Sequence, residues 1–250
     1  MAYSHEQYLS TLHSQPLTDS DLHVWCASLN ASPNDLVYYS SLLSPDEKAR
    51  AGRFYFEVDR HNFIVGRGLL RSMLGAYLNL ESSQIEFVYG QYGKPALKSS
   101  LTERVLEFNL SHSKDLALYI FSWGRKVGID IEYIYPMPTM HEFAKEFFSL
   151  RENRLLNLLP EEQRLDMFFK IWTCKEALLK ANGFGLTVPI NQVEISLKAD
   201  GSAVLSSASK NEGQAEDWRL ELFNPAPGYQ AAFTVEGGKK PVTLYKLGPL

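Results

Sequence analysis

Alternating apolar and polar residues divide the chain into short strands and a few longer helices. Residues 22–26 alternate in this way, with Leu22, Val24 and Cys26 on one face, and they predict an opening strand. Similar short apolar runs predict further strands in the rest of the chain. They lie at residues 84–89, 105–109, 116–122, 193–197, 218–223 and 230–235.

Two long helical regions are predicted by their end signals. The segment Ser44-Pro45-Asp46-Glu47 is a capping box with proline at the first helical position. It begins helical segments that run to about Tyr77, with a break near residues 58–59. The second region spans about residues 161–181. Two glycines follow it, as is typical just past a helix C-terminus: Gly183 and Gly185.

The chain contains an approximate internal repeat. Four pairs of segments match in the same order, offset by 108 to 115 positions: 45–47 with 160–162, 68–71 with 177–180, 84–87 with 192–195, and 116–119 with 230–233. Four ordered matches predict an α+β fold of two similar halves, residues 1–123 and 124–250, each with helices packed on a small antiparallel sheet. The seam between such halves is a natural place for a ligand.

Composition narrows the class of protein. With 250 residues, 45% hydrophobic and 22% charged, the chain can fold as one large globular domain or two small ones. A net charge of −4 gives no reason to expect nucleic-acid binding. Cys26 and Cys174 are isolated, so neither a disulfide framework nor a cysteine metal site is predicted. Without a signal peptide or an apolar run of 18 residues, we expect a cytoplasmic protein with no membrane partner.

The run Val127-Gly128-Ile129-Asp130-Ile131-Glu132 carries the first candidate chemistry. Its alternation predicts a strand with Ile129 and Ile131 facing a core. Asp130 and Glu132 then share the other face, about 7 Å apart at a rise of roughly 3.3 Å per residue. Two carboxylates on one rigid face suit Mg²⁺, which takes oxygen ligands from one or two carboxylates and substrate phosphates. A half-buried strand with a solvated acidic edge is the plain alternative.

The second long helix carries another cluster. Trp172, Glu176 and Lys180 are spaced four residues apart and share one helical stripe. Glu176 and Lys180 are either an ion pair on a solvated face or a third oxygen ligand beside a phosphate-binding cation. Trp172 on the same stripe argues against a plainly solvated face. Both interpretations stay open on the residues alone.

Two further polar segments are candidates for ligand contacts. Gly93-Lys94-Pro95 is a turn whose backbone a ligand can approach, although a simple turn between strands explains it equally well. Residues 109–113 end a strand with small polar side chains and His112, and local hydrogen bonds can account for them. A Ser111–His112 acyl-transfer dyad is rejected, because neighbouring side chains point apart on a strand and no nucleophile elbow surrounds them.

Taken in order, five motifs closely resemble those of the 4′-phosphopantetheinyl transferases, in particular the larger surfactin-type class. The resemblance extends from about Leu43 to Phe233 and rests on Gly93–Pro95, Asn109–Ser113, Gly128–Glu132, Phe147–Ser149 and Trp172–Lys180. It implies an intramolecular pseudo-dimer that moves the phosphopantetheine arm of coenzyme A to a serine of an apo acyl or peptidyl carrier protein. It also implies release of adenosine 3′,5′-bisphosphate. We expect a monomer, since one chain supplies both halves.

The resemblance assigns roles to individual residues. It implies that Asp130, Glu132 and Glu176 hold Mg²⁺, or Mn²⁺ in its place, on the pyrophosphate of coenzyme A. Lys180 adds a second positive charge at the same phosphates. Glu152 matches a carboxylate suspected of taking the serine proton, with Glu176 or a metal-bound water as the alternative.

Coenzyme A recognition by the first half is implied more weakly. The Lys94-Pro95 turn matches the adenine side, and Ser111 and His112 match the 3′-phosphate region. Arg50 aligns with a basic family position, whereas Glu47 and Asn62 stand where many relatives are basic. We expect weakened discrimination of the 3′-phosphate. Two nearby arginines could compensate: Arg53 and Arg60.

A carrier protein is expected to dock on residues 137–148, which contain Met140 and other large apolar side chains. The same composition is also typical of a core helix. Two other functions compete with carrier modification. One is a non-catalytic relative that only binds coenzyme A. The other is an unrelated Mg²⁺-dependent nucleotide enzyme, which the absence of a phosphate-binding Gly-x-x-x-x-Gly-Lys-Ser/Thr loop disfavours.

Overall fold

A computed structural model describes residues 16–183, 189–198, 202–205, 218–238 and 241–247. The first half contains β1 (Leu22–Ser28), α1 (Pro33–Leu42), α2 (Pro45–Ala51), α3 (Glu57–Leu78), β2 (Phe87–Tyr89), β3 (Pro95–Leu97), β4 (Leu106–Ser113) and β5 (Leu116–Trp123). The second contains β6 (Val127–Tyr133), α4 (Met140–Phe147), α5 (Leu150–Leu158), α6 (Glu161–Asn182), β7 (Ile195–Leu197), β8 (Ala203–Leu205), β9 (Trp218–Phe223), β10 (Tyr229–Glu236) and β11 (Val242–Leu247).

The predicted end signals are confirmed. The Ser44 capping box begins α2, with the Glu47 side chain accepting from the Ser44 backbone. Helix α6 ends at Gly183, whose positive φ of 68° is accessible to glycine at little cost. The break in the first helical region falls between α2 and α3, a few residues before the expected position. Gly185 lies outside the described residues.

The two halves repeat each other element by element. Helices α3 and α6 have 22 residues each and are offset by 104 positions. Strand β1 pairs with β5 in the same register in which β6 pairs with β10: Trp25 lies opposite Tyr119, and Asp130 lies opposite Ala232. The hairpins β2–β3 and β7–β8 likewise share one register at an offset of 108. The α+β pseudo-dimer is therefore confirmed within one chain.

The register corrects three of the sequence matches, one of them by a single residue: β5 corresponds to β10 at an offset of 113, so residues 116–119 match 229–232. Because the long helices are offset by 104 positions, Arg71 corresponds to Lys175 and not to Lys180. The capping box at Ser44 corresponds to the one at Ser149, not to residues 160–162. Local similarity of Leu-Leu-basic and Pro-acidic segments is common in helices, so it gave the wrong alignment there. The offset of 108 for the strand after each helix is correct.

The sheets explain how the halves are joined. One sheet has the order β11-β1-β5-β4, and the other has the order β6-β10-β9. Apolar side chains from both sheets form a shared core that includes Val24, Ile120, Ile129 and Phe233. The other face of β1 packs Trp25 into a second core with α3, so the strand is buried on both faces.

The last strand departs from the expected division of the chain. Strand β11 lies parallel to β1 and belongs to the sheet of the first half, although its residues come from the end of the sequence. The boundary at residue 123 therefore does not hold for β11. Its Tyr245 ring stacks on Trp25 with centroids 4.2 Å apart, and Leu247 is buried.

Helix α6 packs very closely on β6, so side chains of the helix come near those of the acidic strand. A Cβ atom on Gly128 would lie 2.0 Å from the backbone oxygen of Ala177 and 2.5 Å from the nitrogen of Ala181. Only glycine permits this approach. No helix within the described residues is long and apolar enough to cross a membrane.

Candidate functional site

The seam between the halves is formed by β4 and β6, which are held together through side chains. Asn109 Oδ1 accepts a hydrogen bond from the backbone nitrogen of Ile129 at 2.9 Å. Ser113 Oγ accepts one from the backbone nitrogen of Tyr133 at 3.0 Å. These bonds place the polar end of β4 directly beside the acidic strand. The small polar residues at the end of β4 are therefore part of the seam.

Asp130 lies at the centre of the seam and is 3% exposed. Its Oδ1 atom accepts hydrogen bonds from Ser111 Oγ at 2.9 Å and from Lys180 Nζ at 2.6 Å. Its Oδ2 atom is buried and has no hydrogen-bond partner among the described residues. A buried carboxylate oxygen without a partner is costly, so its position points to a bound group.

Glu132 and Glu176 flank Asp130. Burial, with the negative charge of Asp130, raises the pKa of Glu132, although the hydrogen bond from Ser113 and the nearby Trp172 and Lys180 oppose the shift. Burial also raises the pKa of Glu176, and Asp130 adds to this effect while Lys180 opposes it. Three carboxylates therefore share the seam with one lysine. The stripe of Trp172, Glu176 and Lys180 faces this cluster and is not a solvated surface.

The donor set fits a hard divalent cation that also binds a substrate. Within the described parts of the chain, no three acidic, histidine or cysteine side chains converge closely enough to enclose an ion by themselves. Mg²⁺ does not require such a cage, because it commonly uses one or two carboxylates, water and substrate phosphates. The open Asp130 oxygen beside two further carboxylates meets that requirement. The assignment of Asp130, Glu132 and Glu176 as metal ligands remains a prediction.

A cavity of about 320 Å³ opens beside Asp130 and joins both halves. It brings together five of the residues predicted to contact coenzyme A: Arg50, Pro95, Ser111, His112 and Lys180. The guanidinium of Arg50 lies 5.2 Å from the centre of the Phe63 ring. A smaller cavity of about 200 Å³ shares Lys180 with the first and reaches Glu176. Cationic side chains and carboxylates are therefore adjacent along the seam.

Three residues predicted to bind coenzyme A have other environments. Lys94 Nζ donates to the backbone oxygens of Val127 at 3.2 Å and Ala181 at 3.1 Å, so its side chain ties the turn to the second half. Arg60 forms an ion pair with Glu57. Arg53 donates to the oxygen of Ala49 and, like Arg60, does not line the cavity.

The two departures from the basic family pattern also have structural roles. Glu47 is 1% exposed and forms ion pairs with Arg67 and Arg71. Burial raises the pKa of Glu47, but both arginines and the backbone of Ser44 outweigh it, and the net shift is downward. Asn62 Nδ2 donates to the backbone oxygen of Lys114 at 2.8 Å. Glu47 therefore does not present its charge to the cavity.

Arg67 was not predicted from the sequence, although it lines the cavity of about 320 Å³. Its Nη2 atom donates to the hydroxyl of Tyr89 at 2.9 Å, and its guanidinium lies 4.5 Å from the centre of the Phe87 ring. Arg67 and Arg71 are four residues apart in the mostly buried stretch of α3. Two arginines four residues apart within an apolar helical stretch need a buried acidic partner. That combination is the sequence signal that could have identified Arg67 and Arg71 as interior residues.

Glu152 has an environment that does not suit proton transfer. It is 1% exposed, and its Oε2 atom lies 2.9 Å from Lys175 Nζ. The same side chain accepts from the backbone nitrogens of Ser149 and Ile195, both at 2.7 Å. A carboxylate that is fully engaged in the interior cannot reach a hydroxyl of another protein. The structure therefore argues against the proposed proton-acceptor role.

The expected docking helix is mostly a core element. Met140, Ala144 and Phe148 are buried in a cluster with α6, while His141, Glu142, Lys145 and Glu146 form the exposed side. The expectation that Met140 faces a carrier protein is wrong. Its spacing with Ala144 places both residues on the inner face of α4, and the buried Phe148 follows directly after the helix end.

Comparison with known proteins gives separate matches to the two halves of the chain. A family model described as 4′-phosphopantetheinyl transferase, N-terminal, matches residues 27–121. The model of the 4′-phosphopantetheinyl transferase superfamily matches residues 126–234. The two matches follow one another on either side of the seam.

Individual relatives cover most of the chain. The 4′-phosphopantetheinyl transferase HetI of Nostoc sp. is 42% identical over 221 residues, which are 88% of this chain and 90% of the relative. The 4′-phosphopantetheinyl transferase Sfp of Bacillus subtilis is 29% identical over 78% of this chain and 82% of its own. A solved holo-[acyl-carrier-protein] synthase from Thermotoga maritima is 26% identical, with 46% of this chain and 64% of that chain covered at a TM-score of 0.38.

This chain belongs to the 4′-phosphopantetheinyl transferase superfamily, in its larger Sfp-like class. It is an enzyme that transfers phosphopantetheine to carrier proteins.

Proposed function

We propose that the seam binds coenzyme A with a divalent cation and transfers its 4′-phosphopantetheine arm to a serine of an apo acyl or peptidyl carrier protein. The serine oxygen attacks the phosphorus that carries the pantetheine arm. The bond to the inner phosphate of the nucleotide breaks, and adenosine 3′,5′-bisphosphate leaves. The observation that carries the proposal is Asp130, which has one oxygen bound by Ser111 and Lys180 and the other buried without a partner among the described residues.

Asp130, Glu132 and Glu176 would hold Mg²⁺, with Mn²⁺ as a substitute. When bound, the ion neutralises charge on the pyrophosphate and on the leaving bisphosphate. Glu132 and Glu176 both have pKa values raised by burial and by Asp130, so a cation relieves repulsion among the three carboxylates.

Lys180 connects the acidic cluster with the nucleotide cavity. Its Nζ atom reaches both Asp130 and Ser111, while its side chain lines both neighbouring cavities. With coenzyme A bound, Lys180 would exchange part of this contact for a pyrophosphate oxygen. Arg50 and His112 line the same cavity and provide donors for a further phosphate.

Proton acceptance from the serine is assigned to Glu176 in preference to Glu152. Glu176 is partly exposed and lines a cavity at the seam, whereas Glu152 is buried and fully paired. A general base must come within hydrogen-bond reach of the proton that it abstracts. Because it lines the cavity, Glu176 would come within this reach of a hydroxyl that enters the seam.

The decisive experiment is mass spectrometry of an apo acyl carrier protein incubated with the enzyme, coenzyme A and Mg²⁺. We expect the carrier to gain one phosphopantetheine arm, and Asp130→Asn or a chelator to abolish the gain. Asp166→Asn is the matched control, because Asp166 forms an exposed ion pair with Lys170 on the same helix as Glu176. It should leave transfer unchanged.

Failure to modify both acyl and peptidyl carriers would overturn the proposed reaction. If coenzyme A still bound the protein in that case, the non-catalytic coenzyme A-binding alternative would be favoured. Size-exclusion chromatography tests the expected monomer. Both halves of the proposed site come from one chain, so no oligomer is needed. The activity per enzyme molecule should therefore be the same at every protein concentration.

A further inference from the structure

A buried ion pair is present at corresponding positions of both halves. In the first half, Glu47 pairs with Arg71 at 2.6 Å, and in the second, Glu152 pairs with Lys175 at 2.9 Å. All four side chains are at most 2% exposed. The glutamates are offset by 105 positions and the cations by 104, which matches the offsets of the surrounding elements.

The two pairs also make the same secondary contacts. Each glutamate completes a capping box: Glu47 accepts from the Ser44 backbone nitrogen, and Glu152 accepts from that of Ser149. Each cation then donates to two backbone oxygens beyond its own helix. Arg71 binds the oxygens of Ser82 and Ile85, and Lys175 binds those of Ile190 and Val193. These acceptors correspond at an offset of 108. The buried ion pair with its hydrogen bonds is therefore a structural feature that both halves share, and not a catalytic group unique to the second half.

Only in the second half does the buried ion pair lie next to the acidic cluster. Lys175 is followed by Glu176, whereas the corresponding Arg71 is followed by Ser72, whose hydroxyl donates to its own helix. The position corresponding to Asp130 is Trp25. Glu152 and Lys175 connect α5, α6 and the start of β7, so they restrain the rotation of α6 about its axis.

That rotation matters because Glu176 lies on α6 and Asp130 lies on β6. Side chains extend about 5–6 Å from a helix axis, so a rotation of about 10° would move a carboxylate by about 1 Å. A displacement of this size can lower a catalytic rate by about 10²-fold. The close approach at Gly128 sets Ala177 and Ala181 of α6 against β6, and the buried pair adds a second restraint on the orientation of the same helix.

Building on the proposed function, we propose that Glu152 and Lys175 are positioning residues that hold Glu176 in place for the cation, and that Glu152 does not accept the serine proton. The pair acts through the orientation of α6. Removing one partner leaves a buried charge unpaired, whereas removing both leaves none.

The test compares Glu152→Gln, Lys175→Met and their double variant. We expect each single variant to lower kcat about 10²-fold and to weaken Mn²⁺ binding by about tenfold, with the KM for coenzyme A nearly unchanged. Mn²⁺ binding is measured by electron paramagnetic resonance on enzyme saturated with coenzyme A and without carrier. The double variant should recover at least about tenfold of the lost kcat.

A proton-acceptor role for Glu152 predicts a different pattern. In that case Glu152→Gln would lower kcat without weakening Mn²⁺ binding, and the double variant would not recover. Either result would overturn the proposal.

Lys175→Arg provides a conservative variant that keeps the buried charge. Arginine already fills this place in the first half, so we expect Lys175→Arg to retain kcat within about threefold, in contrast to Lys175→Met. Equal losses in the two variants would contradict a positioning role. This comparison remains decisive if Glu152→Gln does not fold.

The matched control is the first-half pair. Glu47→Gln with Arg71→Met should disturb stability in a similar way and raise the KM for coenzyme A, since Glu47 also pairs with Arg67. It should not weaken Mn²⁺ binding. An equal loss of Mn²⁺ affinity in this control would show a general effect of destabilisation and overturn the proposal. Wild-type enzyme that binds Mn²⁺ but transfers nothing would contradict the proposed function separately.

Discussion

At the scale of single residues, Asp130 is the group on which the site depends. Leaving a buried acceptor without a hydrogen bond costs about 1–3 kcal/mol. Among the described residues one Asp130 oxygen has no partner and carries that cost, although Ser111 and Lys180 are both bonded to the other oxygen. A cation at the free oxygen would remove the cost, which links the geometry of the site to its proposed chemistry.

The 3′-phosphate prediction also belongs to single residues. Arg50 lines the cavity beside Asp130, whereas Arg53 and Arg60 do not line it and instead contact Ala49 and Glu57. A charge-assisted hydrogen bond contributes about 1.5–3 kcal/mol, so we expect coenzyme A to be preferred over its 3′-dephospho form by less than about 100-fold in kcat/KM. Arg50→Gln should lower this preference further, while Arg53→Gln should not. A preference above about 1,000-fold, or a loss with Arg53→Gln, would contradict the prediction.

At the scale of elements, α6 owes its position to one glycine on β6. Gly128 allows the backbone of α6 to pack directly on the strand, and this brings Glu176 and Lys180 to Asp130. The corresponding strand of the first half, β1, is instead filled by His23 and Trp25, which both contact Tyr77 on α3. The same element order therefore yields an acidic cluster in one half and an aromatic core in the other.

Gly128→Ala should destabilise the protein by at least about 2 kcal/mol, because the new methyl group overlaps the backbone of α6. Urea unfolding measures the change. Gly66→Ala is the control: its Cβ would lie 3.7 Å from Leu29 and Tyr119, an ordinary contact, and alanine favours a helix by up to about 1 kcal/mol. Equal destabilisation by the two substitutions would refute the role assigned to Gly128.

The buried His23 of strand β1 should make the stability of the protein depend on pH. Burial lowers the pKa of His23 from its ordinary value of 6.5, although Asp21 opposes the shift. The unfolded chain then binds more protons than the folded protein between the two pKa values. The contribution of His23 to stability should therefore fall as the pH decreases below 6.5 and become constant below its folded pKa.

His23→Asn tests this dependence, because asparagine can keep a hydrogen bond to Tyr77 and cannot titrate. Urea unfolding at pH 7.5, 6.5 and 5.5 should show a smaller loss of stability on acidification for the variant. Parallel curves for the two proteins would show that His23 does not contribute.

At the scale of the whole molecule, the two halves are not independent units. They share an apolar core between the sheets, side-chain bonds between β4 and β6, and the Lys94 side chain that reaches the second half. Strand β11 adds a further link, because it returns from the end of the described chain to the edge of β1. Strand β6 is the end strand of its sheet, and its free edge faces β4. The candidate site lies between these two strands.

Ending the chain after Pro241 tests the contribution of β11. Loss of buried Leu247 and of the Trp25–Tyr245 stacking should destabilise the protein by at least about 3 kcal/mol. Hydrogen exchange should quicken in β1 before it does in β6. Unchanged thermal unfolding of the shortened chain would contradict the prediction, and Tyr245→Ala should show an intermediate loss.

The sequence by itself determined the two-half α+β fold, most strand positions, the helix ends and the acidic strand, because periodicity and capping act over a few neighbouring residues. It also identified the family, through five ordered motifs. Tertiary structure decided which of those residues meet. Only packing shows that Glu47 and Glu152 are interior partners of Arg71 and Lys175, that Met140 is buried, and that β11 joins the first sheet. These outcomes depend on contacts between distant segments, and no local pattern records such contacts.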